Sequence, residues 1–229
     1  MVSLLSNISF IQARRLSYKS IISWYAGLVK SKPHEAPFNH IIQIGDPTLR
    51  TTSQEIPRHL IKSDEVKFLI KRMEKVMQKY NCVGLAAPQL GIPFRLFLIQ
   101  FSEKQLNYYK PQEREVKEMQ VVPLKVIINP RVEVTDYTKL TFVESCESVR
   151  GFHAEVPRYR GIKLTALDDK ESAFEMNVVG WPARIIQHEV DHLNGKMYTD
   201  VMRRTTFACS CWQVVNERGG KVELPYGAD

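Results

Sequence analysis

One segment, Gln187-His188-Glu189-Val190-Asp191-His192, constrains this chain more than any other. Trp181-Pro182 ahead of it and Gly195 behind it frame a helix of about 13 residues, roughly 20 Å long. Residues four apart on a helix share one face, so His188 and His192 converge on a single point. The two imidazoles can then ligate one metal ion, with Glu189 beside it as a base for a water on that ion. The same six residues also suit an exposed helix with two unrelated histidines, so the segment is weighed with the rest of the chain. Ile185, Ile186 and Leu193 supply the helix with a surface to bury.

The elements around it read as a mixed fold. Ser63 is an N-cap with Asp64 and Glu65 in the first turn, and Val66, Leu69, Ile70, Met73, Val76, Met77 and Tyr80 recur every three or four residues. That spacing predicts an amphipathic helix of about four to five turns whose stripe is core. Runs at 94–100, 124–129, 131–136, 139–143, 162–167 and 172–178 read as strands. Residues 41–44, ahead of Gly45-Asp46-Pro47, read as a short strand entering a turn. The charged stretch 102–122 is expected to be a surface loop or insertion. After Met202 a strand or turn is expected at 211–215, with a loose end at Gly219-Gly220. One long helix, many strands and one ligand helix against sheet indicate an α+β fold: partly open antiparallel β-sheets surrounding a central metal-ligand helix.

The net charge of +7 suggests nucleic-acid binding until its distribution is considered. No acidic residue precedes Glu35, whereas Arg14, Arg15, Lys19, Lys30, Lys32 and seven serines do. Basic, serine-rich, acid-free composition predicts a mitochondrial or plastid transit peptide over 1–35, followed by one catalytic domain over 36–229. A basic arm that binds a partner is the other reading of that segment. Residues 36–229 hold 27 basic and 24 acidic residues, a net +3. Nor do they show a basic stripe interleaved with aromatics, so direct nucleic-acid binding is not expected. No run of about 18 apolar residues exists, and a membrane-spanning helix is not expected either. Cys82, Cys146, Cys209 and Cys211 do not make a disulfide scaffold in a chain of 229 residues. Cys209-Ser210-Cys211 is too closely spaced for a metal knuckle and reads as a reduced, structural pair.

Two histidines need further ligands. A gluzincin-type protease would take a later helical glutamate, but only Glu217 and Glu223 lie far enough downstream, and no histidine follows His192. Upstream, Glu144-Ser145-Cys146-Glu147-Ser148 ends a predicted strand and offers a thiolate. Cys146 with two imidazoles would leave a tetrahedral ion one open corner, although a cysteine at a strand end is also a common inert core residue. Gly84-Leu85-Ala86-Ala87-Pro88-Gln89-Leu90-Gly91 describes backbone that something approaches closely, or else a simple helix-to-strand turn.

In this order the three segments resemble those of peptide deformylases. The family's Gly-x-Gly-x-Ala-Ala-x-Gln is matched by residues 82–89, with Cys82 in place of the first glycine. Its Glu-Gly-Cys-x-Ser is matched by Glu144, Cys146 and Ser148, with Ser145 where glycine is usual. Its Gln-His-Glu-x-Asp-His-Leu is matched throughout by residues 187–193. The resemblance spans roughly 39–215, and Glu147 with the run 180–184 looks most like the organellar, animal-type branch.

That resemblance implies removal of the formyl group from N-formylmethionyl nascent chains, with release of formate, in the mitochondrial matrix. It implies Cys146, His188 and His192 as ligands of one divalent ion, Fe(II) natively, with Zn, Co or Ni able to replace it. Glu189 would be the base, Gln89 and the Glu147 backbone N–H the oxyanion donors, and Val83, Gly84, Ser145 and Trp181 the substrate contacts. It further implies a homodimer and association with ribosomes. Serine at 145 is expected to lower or alter activity rather than abolish it. Asp191 reads as a structural carboxylate that orients a histidine or pairs with an arginine, and Glu144 with Arg158 as a buried ion pair. Two other readings compete: a His-Glu-x-x-His metalloprotease, and a catalytically impaired deformylase-like protein that binds nascent chains. Presence of Gln89, Cys146, His188, Glu189 and His192 together argues against the second, because binding alone does not require Glu189.

Overall fold

Ser63 accepts the Val66 N–H at 3.3 Å and starts helix α1 (Asp64–Tyr80), which Asn81 closes in the left-handed conformation. The computed structural model describes residues 35–227; the basic segment 1–34, on which the targeting reading falls, lies outside them. Val66, Leu69, Ile70, Met73, Val76 and Met77 are the buried face of α1, as their spacing dictates.

Strands β1 (Gly84–Ala86), β2 (Leu96–Phe101), β3 (Val122–Ser145), β4 (Phe152–Leu167) and β5 (Ala173–Val179) pair in that order, each antiparallel to the next. A short β6 (Ala208–Cys209) pairs with the start of β4. All six belong to one open sheet rather than to several. Successive residues of β1 and β2 serve opposite faces, as strand geometry requires. Leu85, Leu96 and Leu98 pack in the core under α1, whereas Ala86, Phe97 and Ile99 pack with the second long helix, α4 (Gly180–Leu193). Ala183, Ile185, Ile186 and Leu193 are that helix's contribution. Pro182 lies in its first turn, where a missing N–H costs no helical bond. Gly195 follows at φ +68°, and a Cβ there would be 2.7 Å from the Arg50 carbonyl.

Several expectations are corrected. Three separate sequence runs within 124–143 are one strand of 24 residues, β3, whose register shifts at 128–131, 134–136 and 136–139. Asn129-Pro130 and Asp136-Tyr137-Thr138 look like breaks in the sequence but are bulges that bend a continuous strand. Asn129 is held there by side-chain bonds to both backbone groups of Ile56, at 2.9 and 2.8 Å. β4 likewise begins at Phe152, through Val156-Pro157-Arg158, well before its apolar run. Residues 41–44 form no strand; Ile42 N–H donates to Gln89 O (3.0 Å) and Ile44 N–H to Ser148 O (2.7 Å). The stretch 102–122 contains two short helices, α2 (Glu103–Leu106) and α3 (Pro111–Val116). Beyond α5 (Tyr198–Val201) and β6, residues 211–215 enter helix α6 (Trp212–Glu217), not a strand. The tail also returns to the body, with Tyr80 Oη donating to Tyr226 O at 3.2 Å. Among the described residues no helix is long and apolar enough to cross a membrane.

Candidate metal centre

Three elements meet at the predicted ligands. β3 ends at Ser145, so Cys146 leaves the sheet in extended conformation and points at α4. Cys146 Sγ lies 3.3 Å from His192 Nε2, and the rings of His188 and His192 are 5.0 Å apart at 77°. One donor atom from each of the three residues falls within 4.8 Å of the others. A thiolate and two imidazoles suit several divalent ions and leave a fourth tetrahedral corner open. His188 Nδ1 faces Glu144 Oε2 at 3.0 Å, which leaves its Nε2 for the ion. Burial depresses His192 well below the ordinary imidazole value, keeping it in the neutral form that a ligand requires. Burial would do the same to His188, but the Cys146 sulfur and the Glu144 carboxylate outweigh it and raise that ring. One thiol sulfur and two imidazole nitrogens converging this closely, with His188 Nδ1 turned to Glu144, form a donor set that fits a divalent cation.

Behind the ligands sits a buried charge network. Glu144 accepts from Arg158 Nε and Nη2 at 3.0 Å each and from Arg184 Nη1 at 2.6 Å. Arg158 Nη1 also pairs with Asp191. Arg184 Nη1 further donates to Val156 O at 2.9 Å. Burial works against the Glu144 charge, yet the His188 hydrogen bond and Arg158 override it and hold its carboxyl far below the usual range. The expected Glu144–Arg158 pair and the arginine partner for Asp191 are both present.

Glu189, one residue past His188, is buried, and its Oε2 has no hydrogen-bond partner. Burial pushes its pKa up to about 7, against the opposing pull of His188. Gly84 is what admits this carboxylate: a Cβ at Gly84 would lie 2.7 Å from Glu189 Cδ. Gln89 follows β1 in a 3-10 turn, and its Oε1 accepts the Ala86 N–H at 2.9 Å, which fixes the amide's orientation. Gln89 Nε2 therefore points inward, 3.2 Å from Ser148 Oγ and 3.6 Å from Cys146 Sγ. The Glu147 peptide is held by Gln43 Nε2, which donates to its carbonyl at 2.8 Å.

A cavity of about 450 Å³ opens over these groups, and Val83, Gly84, Ser145, Glu147 and Trp181 all line it. The residues implied as ligands, base, oxyanion donors and substrate contacts are thus brought to one place. Sequence reasoning missed several neighbours. Arg184 was findable, since it precedes His188 by four residues on the same helix face. Tyr198, whose ring stacks on His188 at 6.4 Å, gave no local signal. Neither did Tyr109 and Lys117, which reach the cavity from the 102–122 insertion. Lys117 Nζ sits 5.2 Å over Trp181 and 5.3 Å over Tyr109, and 2.6 Å from Glu113.

The arrangement, a nucleophile-activating ion site, an unpaired buried carboxylate and inward amide donors over a cleft, suits hydrolysis of an amide. Comparison with known proteins agrees. The sequence profile described as polypeptide deformylase matches residues 38–208. The mitochondrial peptide deformylase of Homo sapiens is 40% identical over 185 residues, covering 81% of this chain and 76% of the human protein. Peptide deformylase 1A, chloroplastic, of Solanum lycopersicum is 38% identical, over 80% of this chain and 66% of its own length. Among solved structures, a plant peptide deformylase superposes with a TM-score of 0.62 at 29% identity, covering 82% of this chain and 89% of that one. A class I type b peptide deformylase from Acinetobacter baumannii with Met-Ala-Ser bound gives 0.63 at 26% identity, over 71% and 96%. With the candidate ligands Cys146, His188 and His192, the buried carboxylate and the oriented amide all inside the matched span, this chain belongs to the polypeptide deformylase family.

Proposed function

We propose that this chain is an organellar deformylase that hydrolyses the formyl amide of N-formylmethionyl polypeptides, releasing formate and a free amine. What carries the reading is the convergence of Cys146, His188 and His192 within 4.8 Å beneath a cavity that Glu189 also lines. The ion they would hold supplies Lewis acidity, polarising the formyl carbonyl and acidifying the attacking water. Fe(II) is the proposed native ion, with Zn, Co or Ni as functional substitutes.

The chain's own groups do the rest. Glu189 Oε2 accepts the proton of the attacking water and later delivers one to the departing amine nitrogen as the C–N bond breaks. Gln89 Nε2 and the Glu147 backbone N–H donate to the carbonyl oxygen as it gains charge. Val83, Gly84, Ser145 and Trp181 hold the methionine side chain and the substrate backbone. The basic segment ahead of Glu35, which holds no acidic residue, and the organellar names of its relatives support a mitochondrial address, in the matrix, where newly made chains carry the formyl group. Action on chains leaving the ribosome, and assembly as a homodimer, complete the proposal.

Formate release from a formyl-Met-Ala-Ser peptide by anaerobically purified protein, with metal analysis of the same sample, tests this reading. Wild type should release formate with about one metal ion per chain, and Glu189→Ala should keep the metal while losing nearly all turnover. Cleavage of internal peptide bonds with the formyl group intact would instead favour a metalloprotease. Metal-replete wild type inert toward every formyl peptide would leave only a binding role.

A further inference from the structure

Away from the cavity, the tail carries a second sulfur cluster. Cys209 ends β6, Cys211 caps α6, and Ser210 lies between them. The two Sγ atoms are 3.5 Å apart; both thiols are free and half-buried. The turn is fixed on each side. Cys209 is in register with Phe152, the Ser210 N–H donates to Gly151 O at 2.8 Å, and Ser210 Oγ lies 2.9 Å from His153 Nδ1. Val215 N–H binds Cys211 O at 2.9 Å on the helical side. Folding has therefore already spent the entropy of bringing the sulfurs face to face. A bridge between residues this close in sequence stays strained, which makes it readily reducible rather than a permanent staple.

We infer that Cys209 and Cys211 form a reversible dithiol–disulfide couple, oxidised by hydrogen peroxide. The Cys209 thiolate attacks the peroxide, the O–O bond breaks, and Cys209 becomes a sulfenic acid as one water departs with a proton from the solvent. The Cys211 sulfur, losing its proton, displaces the sulfenic hydroxyl, so the S–S bond forms and a second water leaves. Two thiols lose two electrons, and the peroxide accepts them. Contact with the Cys209 sulfur pushes the Cys211 thiol up, which suits Cys211 to the resolving role.

Trypsin releases residues 205–218, which contain both of these cysteines and neither Cys82 nor Cys146. The full chain would be treated with near-stoichiometric hydrogen peroxide, blocked with N-ethylmaleimide, digested and weighed. The peptide should be two hydrogens lighter than the dithiol and free of maleimide, and dithiothreitol before blocking should restore two maleimides. Bridge formation should be at least about tenfold faster in the folded protein than in the same chain unfolded in urea. Cys211→Ser should stop at a Cys209 sulfenic acid trapped by dimedone. Two maleimides at a dose that fully oxidises free cysteine, sulfonic acids in place of the bridge, equal folded and unfolded rates, or no dimedone adduct would each overturn the proposal.

Discussion

Gly84 and Glu189 share one space, and the consequence is testable at a single atom. Adding a Cβ at Gly84 moves the Glu189 carboxylate, because the clash is with Glu189 Oε1 and Cδ rather than with a flexible surface group. A displacement of about 1 Å of a catalytic group can cost on the order of 10² in rate. Gly84→Ala should therefore lower kcat for formate release by roughly that factor with metal content unchanged. An unaltered kcat would show that the glycine serves only chain entry into β1. This site was largely legible beforehand, since His188, Glu189 and His192 lie on one turn, and helix periodicity alone puts them together. Cys146 is a candidate ligand from its residue type and Gln89 part of a closely approached run, but only motif resemblance gives them their roles, because their spacing in sequence says nothing about meeting α4.

At the level of elements, Glu144 on β3, Arg158 on β4 and Arg184 and Asp191 on α4 bind strand to strand and sheet to helix. Each side chain but Asp191 is about nine-tenths or more buried, so solvent screens them little. Glu144→Gln removes the charge that two guanidinia share and should cost about 3–5 kcal/mol in urea unfolding. It should also weaken metal binding by roughly 10–100-fold by freeing the His188 ring. A stability loss under about 1 kcal/mol would count against the network's structural role. The Glu144–Arg158 part of it was foreseeable as charge complementarity near the cysteine strand, but the second arginine and the histidine contact depend on how α4 docks.

A looser junction fastens the 102–122 insertion: Arg160 on β4 bridges Glu118 and Asp136. The Thr138 N–H, the Thr138 hydroxyl and Arg160 lower the Asp136 pKa from 3.8 to about 2. A carboxyl depressed by folding contributes stability that is complete above its ordinary pKa and is lost as pH falls toward the folded one. Wild type should thus lose this contribution between about pH 4 and pH 2, and Asp136→Asn should show a shallower slope of stability against pH in that window. Identical slopes would place the contact outside the folding balance. The insertion reads as a loop because its short helices, one capped by Ser102 and the other opening on Pro111, carry no long apolar period.

On the scale of the whole molecule, β3 and β4 were seen only in fragments. Bulge residues and an internal proline mimic chain breaks, and the ladder that joins the fragments is a property of partner strands. Helices α1 and α4 were recovered nearly to the residue, since caps and period are written locally. Because the candidate ligands come from the turn just after β3 and from α4, binding of an ion there should couple to global stability. An ion at about 100 times its dissociation constant adds about 2.7 kcal/mol. Chelation should lower Tm by several degrees in wild type and by much less in Cys146→Ala, and equal shifts in both would detach the ion from this site.

Cys146 and His192, in contact at the candidate metal centre, are separated by 46 residues of chain. Translation delivers Cys146 early and His192 late, with all of β4 and β5 to be made between them. A half-synthesised copy cannot assemble this three-residue cluster, so the enzyme can service other nascent chains only after its own birth is complete.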